Sequence, residues 1–216
     1  MGGRVHLEKA LELELEALRV FRLSGINDST ESLLVNNLAV KLKALDRNEE
    51  AVSYFIEAIA LAQKFEDQAD ECRALYNLGQ THLKLNQLDQ AQTALEQAIM
   101  IVERLNFDEG RAYMLQGQAK LLILKADYAQ AIEKLTQAHA IMQHYSRLNA
   151  LDILWKLAIL YWKLGDVAEA ESRMQAVLEQ ERPLGMDRVH GHEQQLHNLR
   201  NQQPFDDALL DAIIDE

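Results

Sequence analysis

The chain has 216 residues, of which 48% are apolar and 26% charged, with 2 prolines, 9 glycines and 1 cysteine. Leu, Ala, Gln and Glu dominate and all favour helix, so the composition excludes a sheet-rich fold and points to an almost wholly helical one. A formal net charge of −12 opposes nonspecific binding to nucleic acid or anionic lipid, both of which require a positive surface.

The lone Cys72 has no partner for an internal disulfide. Neither a charged-then-apolar leader nor an apolar run of about 18 residues is present, so the expected setting is soluble and cytoplasmic, with no membrane contact. Gly2 stands where an N-myristoyl signal needs it, but His6 occupies the Ser/Thr position, and lipidation is set aside.

Residues 5–24 carry Leu7, Leu11, Leu15, Leu18 and Phe21 at three- and four-residue steps, the spacing of one face of an amphipathic helix. Gly25 and the polar run Asn27, Asp28, Ser29 and Thr30 end it and offer a cap to the next. From there a small residue recurs about every 40 residues, at Ala51, Ala91, Ala131 and Ala170. Another precedes it in each unit, at Ala39, Gly79, Ala119 and Ala158. A third follows at Ala58, Ala98 and Ala138, with Val177 in the last unit, and a large apolar residue lies between, at Phe55, Leu95, Leu135 and Met174. Small residues let two helices approach and a bulky neighbour fills the hollow beside them. Polar turns at Asp46-Arg47-Asn48, Asn86-Gln87, Ala126-Asp127 and Gly165-Asp166 divide every unit into helix, turn and helix.

These columns resemble the tetratricopeptide repeat family, most specifically in YNLGQTHLKLNQLDQA and WKLAILYWKLGDVAEA. The resemblance implies an all-α, right-handed α–α superhelix. Residues 31–182 form four helix pairs, 1–30 an N-terminal capping helix, 183–203 a C-terminal capping helix and 204–216 an acidic amphipathic tail. The period is roughly six residues longer than the usual ~34 and no proline closes the units. That reads as an extended second helix, similar to the longer variants of cargo adaptors and bacterial peptide-sensing regulators. One period before Ala51, Phe55 and Ala58 stand Leu11, Leu15 and Leu18, which makes the first helix the second half of a degenerate unit.

In this family the first helices line a concave binding face. Carried over, its positions include Asn36, Asn37 and Lys43, then Arg73, Tyr76, Asn77 and Lys84. Tyr113 and Lys120 follow, then Trp155, Lys156, Trp162 and Lys163. The resemblance implies that Asn37 and Asn77 hold a bound peptide's backbone, while Trp155, Trp162, Tyr76 and Tyr113 supply aromatic anchors. Tyr113 stands where the family's clamp for a C-terminal carboxylate has a cation, which argues against that mode. The basic residues of this face, Lys43, Arg73, Lys84, Lys120, Lys156 and Lys163, oppose Asp152 alone, whereas the second helices are rich in acid (Glu49, Glu50, Glu57, Glu96, Glu103, Glu133, Glu169). Charge is thus sorted by face, and the expected ligand is an acidic, partly apolar protein or peptide.

The tail, PFDDALLDAIIDE, sets Asp206, Asp207, Asp211, Asp215 and Glu216 beside an apolar stripe of Phe205, Leu209, Leu210, Ile213 and Ile214. It has the chemistry that such a face accepts, and it is expected to dock into its own groove or a neighbour's, so that a partner must displace it.

Signals for catalysis are poor. The two histidines of His192-Glu193-Gln194-Gln195-Leu196-His197 are five apart, unlike those of a helical zinc motif, whereas His190, Glu193 and His197 share a face. A metal-dependent enzyme on that helix is the alternative of another class; a solvated polar helix is the simpler reading. No glycine-rich phosphate loop or nucleophile elbow occurs. No catalytic residue, metal or cofactor is assigned. The expected function is a protein or peptide interaction scaffold, with the sensor module of a bacterial peptide-responsive regulator as the second reading. RNA binding, which a basic inner face allows, is opposed by the overall charge.

Overall fold

Most of the links from helix to helix are one recurring turn. The computed structural model describes residues 2–215, with side chains from 4 to 214, and no strand occurs among them. The chain divides into two compact units, Met1–Phe107 and Asp108–Glu216. The first holds α1 (Gly2–Leu23), α2 (Thr30–Ala44), α3 (Asn48–Lys64), α4 (Gln68–Lys84) and α5 (Leu88–Arg104). The second holds α6 (Asp108–Leu124), α7 (Tyr128–Met142), α8 (Arg147–Lys163), α9 (Val167–Glu181), a 3-10 turn (Arg182–Leu184), α10 (Val189–Arg200) and α11 (Ala208–Asp215). No described helix is long and apolar enough to cross a membrane.

The turn is set by the backbone. Asp46, Glu66, Asn86, Asn106, Ala126 and Gly165 take φ of 60, 56, 55, 51, 58 and 82°. After each, an amide returns to a carbonyl five residues back: Arg47 to Leu42, Asp67 to Ala62, Gln87 to His82, Phe107 to Val102, Asp127 to Leu122 and Asp166 to Tyr161, all at 2.9–3.0 Å. This is the Schellman closure, which satisfies carbonyls that the helix end leaves orphaned. It joins helices within a pair and, at Glu66 and Asn106, also joins one pair to the next.

Asn, Asp and Gly enter the left-handed region readily, but Ala does so at about 1 kcal/mol or more. Ala126→Gly is therefore expected to stabilise the second unit by about 0.5 kcal/mol, after the entropy that glycine gains in the unfolded chain is set against the relief. A urea midpoint that falls instead would show Ala126 to be unstrained.

The extra length of each unit is shared between both helices, which corrects the expectation of an extended second helix. The first helices α2, α4, α6 and α8 have 15, 17, 17 and 17 residues, and the second helices α3, α5, α7 and α9 have 17, 17, 15 and 15.

The repeated columns are the core. Ala51, Ala91, Ala131 and Ala170 are fully buried, as are Phe55, Leu95 and Met174, with Leu135 nearly so. The closest approach is at Gly79 of α4, where an added Cβ would stand 2.9 Å from Leu95 Cγ of α5. His82 of α4 is a polar residue in this packing, buried with Nδ1 2.6 Å from Gln87 Oε1.

The N-terminal helix departs from the columns. Leu11 and Leu18 of α1 are buried, but Leu15, in register with Phe55, is 44% exposed. Among the described residues its substantial packing is against α2, which leaves Leu15 largely open.

In the second unit α10 packs on α9, and α11 packs on α6 and α8. At 8 residues α11 is far below the ~12–15 that an isolated helix needs in water, so its order comes from this packing.

Candidate functional site

In the first unit the inner positions come from α2 and α4. Ser32 Oγ of α2 donates to Asp70 Oδ2 of α4 at 2.9 Å, and Asp70 Oδ1 receives Arg73 Nη1 at 2.5 Å. One turn on, Asn77 Nδ2 donates to Asn36 Oδ1 at 3.1 Å. The Asn77 side chain, expected to serve a bound peptide, thus spends that donor within the protein, on a buried Asn36; Asn37 and Tyr76 are half-buried. At the far end stand Lys43 and Lys84, close enough to repel. Burial first, and Lys84 second, push the Lys43 ammonium below the ordinary lysine pKa.

In the second unit the inner positions are occupied. Trp155 and Trp162, expected as open anchors, are buried at 8% and 7% exposure, so neither offers an open surface. His192 of α10 stacks on Trp155, with ring centroids 3.6 Å apart and planes 13° from parallel. Phe205, ahead of α11, meets Trp162 edge to face at 5.4 Å and 84°. Leu210 and Ile213 of α11 are buried in the core of the unit.

The cations are engaged as well. Lys163 pairs with Asp207, lies 5.0 Å from the Phe205 ring centroid, and has its pKa raised by the Asp207 carboxylate. Lys120 donates to the Ile214 carbonyl at 3.5 Å, where the end of α11 concentrates negative dipole. Lys156 pairs with Asp152 at 2.7 Å. Tyr113 Oη accepts from Asn149 Nδ2 at 3.0 Å. Of the tail's acidic residues, Glu216 and the side chain of Asp215 lie outside the described residues.

Beneath α10 lies a polar knot that the sequence pattern does not reveal. Glu181, at the end of α9, is fully buried; its Oε1 receives Arg188 Nε at 2.7 Å, and its Oε2 lies 2.8 Å from His192 Nδ1. Arg188 Nη1 also reaches Asp152 Oδ1 at 3.6 Å. Burial lowers the His192 pKa more than the Glu181 hydrogen bond raises it, so the imidazole is neutral near pH 7 and donates from Nδ1. Asp152, Trp155, Lys156, Arg188, His192 and Gln195 border a cavity of ≈180 Å³ that Ile213 of α11 also lines, room for several waters.

The trio considered for metal does not assemble. Glu193 is taken by Arg182 at 2.8 Å, His197 Nε2 lies 2.8 Å from Asn201 Nδ2, and no metal-competent cluster of three ligands occurs among the described residues. Cys72 is buried, and burial pushes its thiol up to about 11, which leaves it protonated and unreactive at neutral pH.

Two tetratricopeptide-repeat models match the sequence, at residues 29–104 and 122–187. The chain belongs to the tetratricopeptide repeat superfamily. No curated protein sequence matches it. Among solved structures it is similar to BtubC (BKLC) from P. vanneervenii, with a TM-score of 0.77 and 17% identity over 97% of this chain and 88% of that one. It is also similar to aspartyl phosphate phosphatase F from Bacillus subtilis, with a TM-score of 0.77 and 14% identity over 97% of this chain and 57% of that one. A third similar structure is a Rap protein complexed with competence and sporulation factor, with a TM-score of 0.62 and 15% identity over 91% and 59%. The chain thus spans over half the length of the latter two. At these identities the likeness is one of fold.

Within the family frame, the residues that sequence reasoning missed are Glu181, Arg188 and His192. Arg188 and His192 are four apart, which offers a weak signal, but Glu181 precedes the break at Pro183 and Gly185.

Proposed function

We propose that this tetratricopeptide-repeat protein is an interaction scaffold whose first helices receive an acidic, amphipathic segment of a partner protein or peptide, in competition with its own residues 204–216. The observation that supports this most is the seating of α11 on α6 and α8. An acidic helix with one apolar stripe lies there with Leu210 and Ile213 inward, Asp207 on Lys163 and its C-terminal carbonyl on Lys120. A partner with the same three features would make the same contacts. The sorting of basic residues to first helices and acidic ones to second helices would orient and select it. A Rap protein of similar fold is complexed with competence and sporulation factor, and this lends weight to a reading in which the present chain also takes a factor, as the sensing part of a regulator.

The test is binding of a labelled peptide with the sequence of residues 204–216 to the chain ended at residue 203, followed by fluorescence anisotropy. Saturable binding that weakens as salt rises from low to high ionic strength is expected, because the contributing ion pairs are exposed and screened. No binding, or binding indifferent to salt, would remove the acidic partner from the account.

A further inference from the structure

Large apolar side chains are left exposed most densely at the start of the chain, where Val5, Leu13, Leu15, Val20, Leu23 and Ile26 all face solvent. Leu13 and Val20, 65% and 56% exposed, belong to a seam on α1 that runs Ala10, Leu13, Ala17, Val20 and Ser24 at alternating three- and four-residue steps, the spacing of a coiled-coil contact. His6 extends it by one more step. Packing within the repeats does not require this seam to be apolar. One period on, the positions of Ala10, Leu13 and Ala17 are Glu50, Ser53 and Glu57 in α3, and two periods on they are Gln90, Thr93 and Gln97 in α5; all are polar, and all but Glu57 are exposed. The same outer face is thus polar in α3 and α5 and apolar in α1. Beside the seam, Ala17, Val20, Phe21, Ser24, Ile26 and Leu34 border an apolar hollow of ≈440 Å³. An exposed apolar strip of this kind marks a surface that another molecule covers. Glu8, Glu12, Glu14 and Glu16 balance Arg4, Lys9, Arg19 and Arg22 along α1, so no excess of positive charge holds the strip on an anionic membrane.

We infer that this face binds a second copy of the chain, with the two α1 helices antiparallel about a two-fold axis beside the midpoint of the seam. What selects a copy over another partner is that the seam complements itself. Small and large residues alternate along it, and the antiparallel arrangement sets Ala17 of one copy against Leu13 of the other, Ala10 against Val20, and Ser24 against His6. Every layer then joins a small side chain to a large one, and the two-fold axis makes each contact twice. The same pairing of small with large packs helices within the chain, as at Gly79 and Leu95. A parallel pair would set Ala17 against Ala17 and leave a gap there. Glu16 flanks the centre of the seam and meets Glu16 of the second copy; each has Arg19 of its own helix at 3.6 Å, which softens the repulsion without removing it. The 22 residues of α1 make a helix about 33 Å long, and a single pair of that length falls at or below a standard interface of about 800 Å² per partner. Dissociation in the micromolar range is expected, and the dimer should tighten as salt rises because the facing Glu16 carboxylates are screened. Peptide binding on the inner face, which salt should weaken, does not depend on this contact.

The test is sedimentation equilibrium of the full chain over a wide range of concentration, where a monomer–dimer equilibrium is expected. Leu13→Asp should weaken the dimer by about 100-fold or more, since it places two unpaired carboxylates in the contact. Leu13 is exposed in the single chain, so this variant should keep its fold, checked by circular dichroism. Ala17→Leu sets a large residue against a large one and should weaken the dimer by about tenfold or more. The double variant Leu13→Ala/Ala17→Leu exchanges small and large within the same layer and should return the affinity to within about threefold of the parent. A chain that stays monomeric at every concentration overturns the inference and leaves the strip to a different partner. A dimer indifferent to Leu13→Asp overturns it as well, because the contact then lies elsewhere. Tightening by Ala17→Leu, the mark of a parallel pair, or a double variant no better than Ala17→Leu alone, overturns the antiparallel pairing.

Discussion

Replacing Leu210 by aspartate is expected to lift α11 from α6 and α8 and to raise the affinity of the full chain for the peptide of residues 204–216 by about 30-fold or more. Leu210 is 7% exposed in the core of the second unit. An unpaired carboxylate there would cost several kcal/mol, more than an eight-residue helix gains by docking, so the helix leaves and the carboxylate stays in water. Burial of Leu210 and Ile213 contributes about 2 kcal/mol each at most, from which the ordering of α11 subtracts. A net docking energy of about 2 kcal/mol corresponds to a 30-fold tax on any competitor, which the substitution removes. Trp162 loses Phe205 at the same time, so its emission should shift to the red. Unchanged emission together with unchanged peptide affinity would mean that α11 is not displaceable. A loss of folded structure, read from the far-ultraviolet signal, would mean that it is an integral part of the unit.

The second large effect is expected at Glu181. Glu181→Ala leaves Arg188 Nε and His192 Nδ1 facing a hole where a fully buried carboxylate stood. Breaking a buried charged network by removing one member costs about 3–5 kcal/mol, and because Arg188 keeps about a third of its exposure the lower figure applies. The loss should fall on the second unit and release α10, read as lost hydrogen-exchange protection over residues 189–200 and exposure of Trp155. Glu181→Gln keeps the shape and one acceptor and should lose about half as much.

The same knot gives a pH dependence. The folded-state pKa of His192 is lowered, so below about 6.5 the unfolded chain binds the proton that the folded chain refuses. The contribution of His192 is then fully present above that value and is lost as pH falls through it toward the lowered folded value. Acid should loosen α10, and His192→Phe, which keeps the stack on Trp155, should flatten that part of the profile. A thermal midpoint that is equally pH-sensitive in the phenylalanine variant would place the titration elsewhere.

The packing was legible in the sequence because it obeys one period. Ala51, Phe55 and Ala58 and their counterparts meet the same neighbours in every unit, so burial at one predicts burial at the rest. Leu15 broke the rule for a local reason: it has the residue of the column but not the neighbour. The inner face was legible only as positions. Which of those positions stay open depends on what returns to cover them, and neither His192 on Trp155 nor Phe205 on Trp162 follows from helical spacing. The residues of each pair lie on different helices with a chain reversal between them. Glu181 was hidden in the same way, since Pro183 and Gly185 interrupt the helix between it and Arg188, and periodicity does not extend across the interruption. The turns at Glu66 and Asn106 carry comparable polar residues, Glu66-Asp67-Gln68 and Asn106, but they fall between the repeat units rather than inside them, where the columns of small residues do not register them.

That common turn constrains how such a chain can change its length. From Asp46 to Ala126 the left-handed residues fall 20 apart, so one helix with its link is the smallest interchangeable piece, and any link can follow any helix. Parity nevertheless matters. Gaining or losing a single 20-residue piece would exchange inner for outer helices in everything downstream, turning acidic surfaces inward and leaving Lys120 and Lys163 on the wrong side for α11. Duplication in steps of 40 preserves the assignment, and a natural or designed lengthening of this protein should respect that even count.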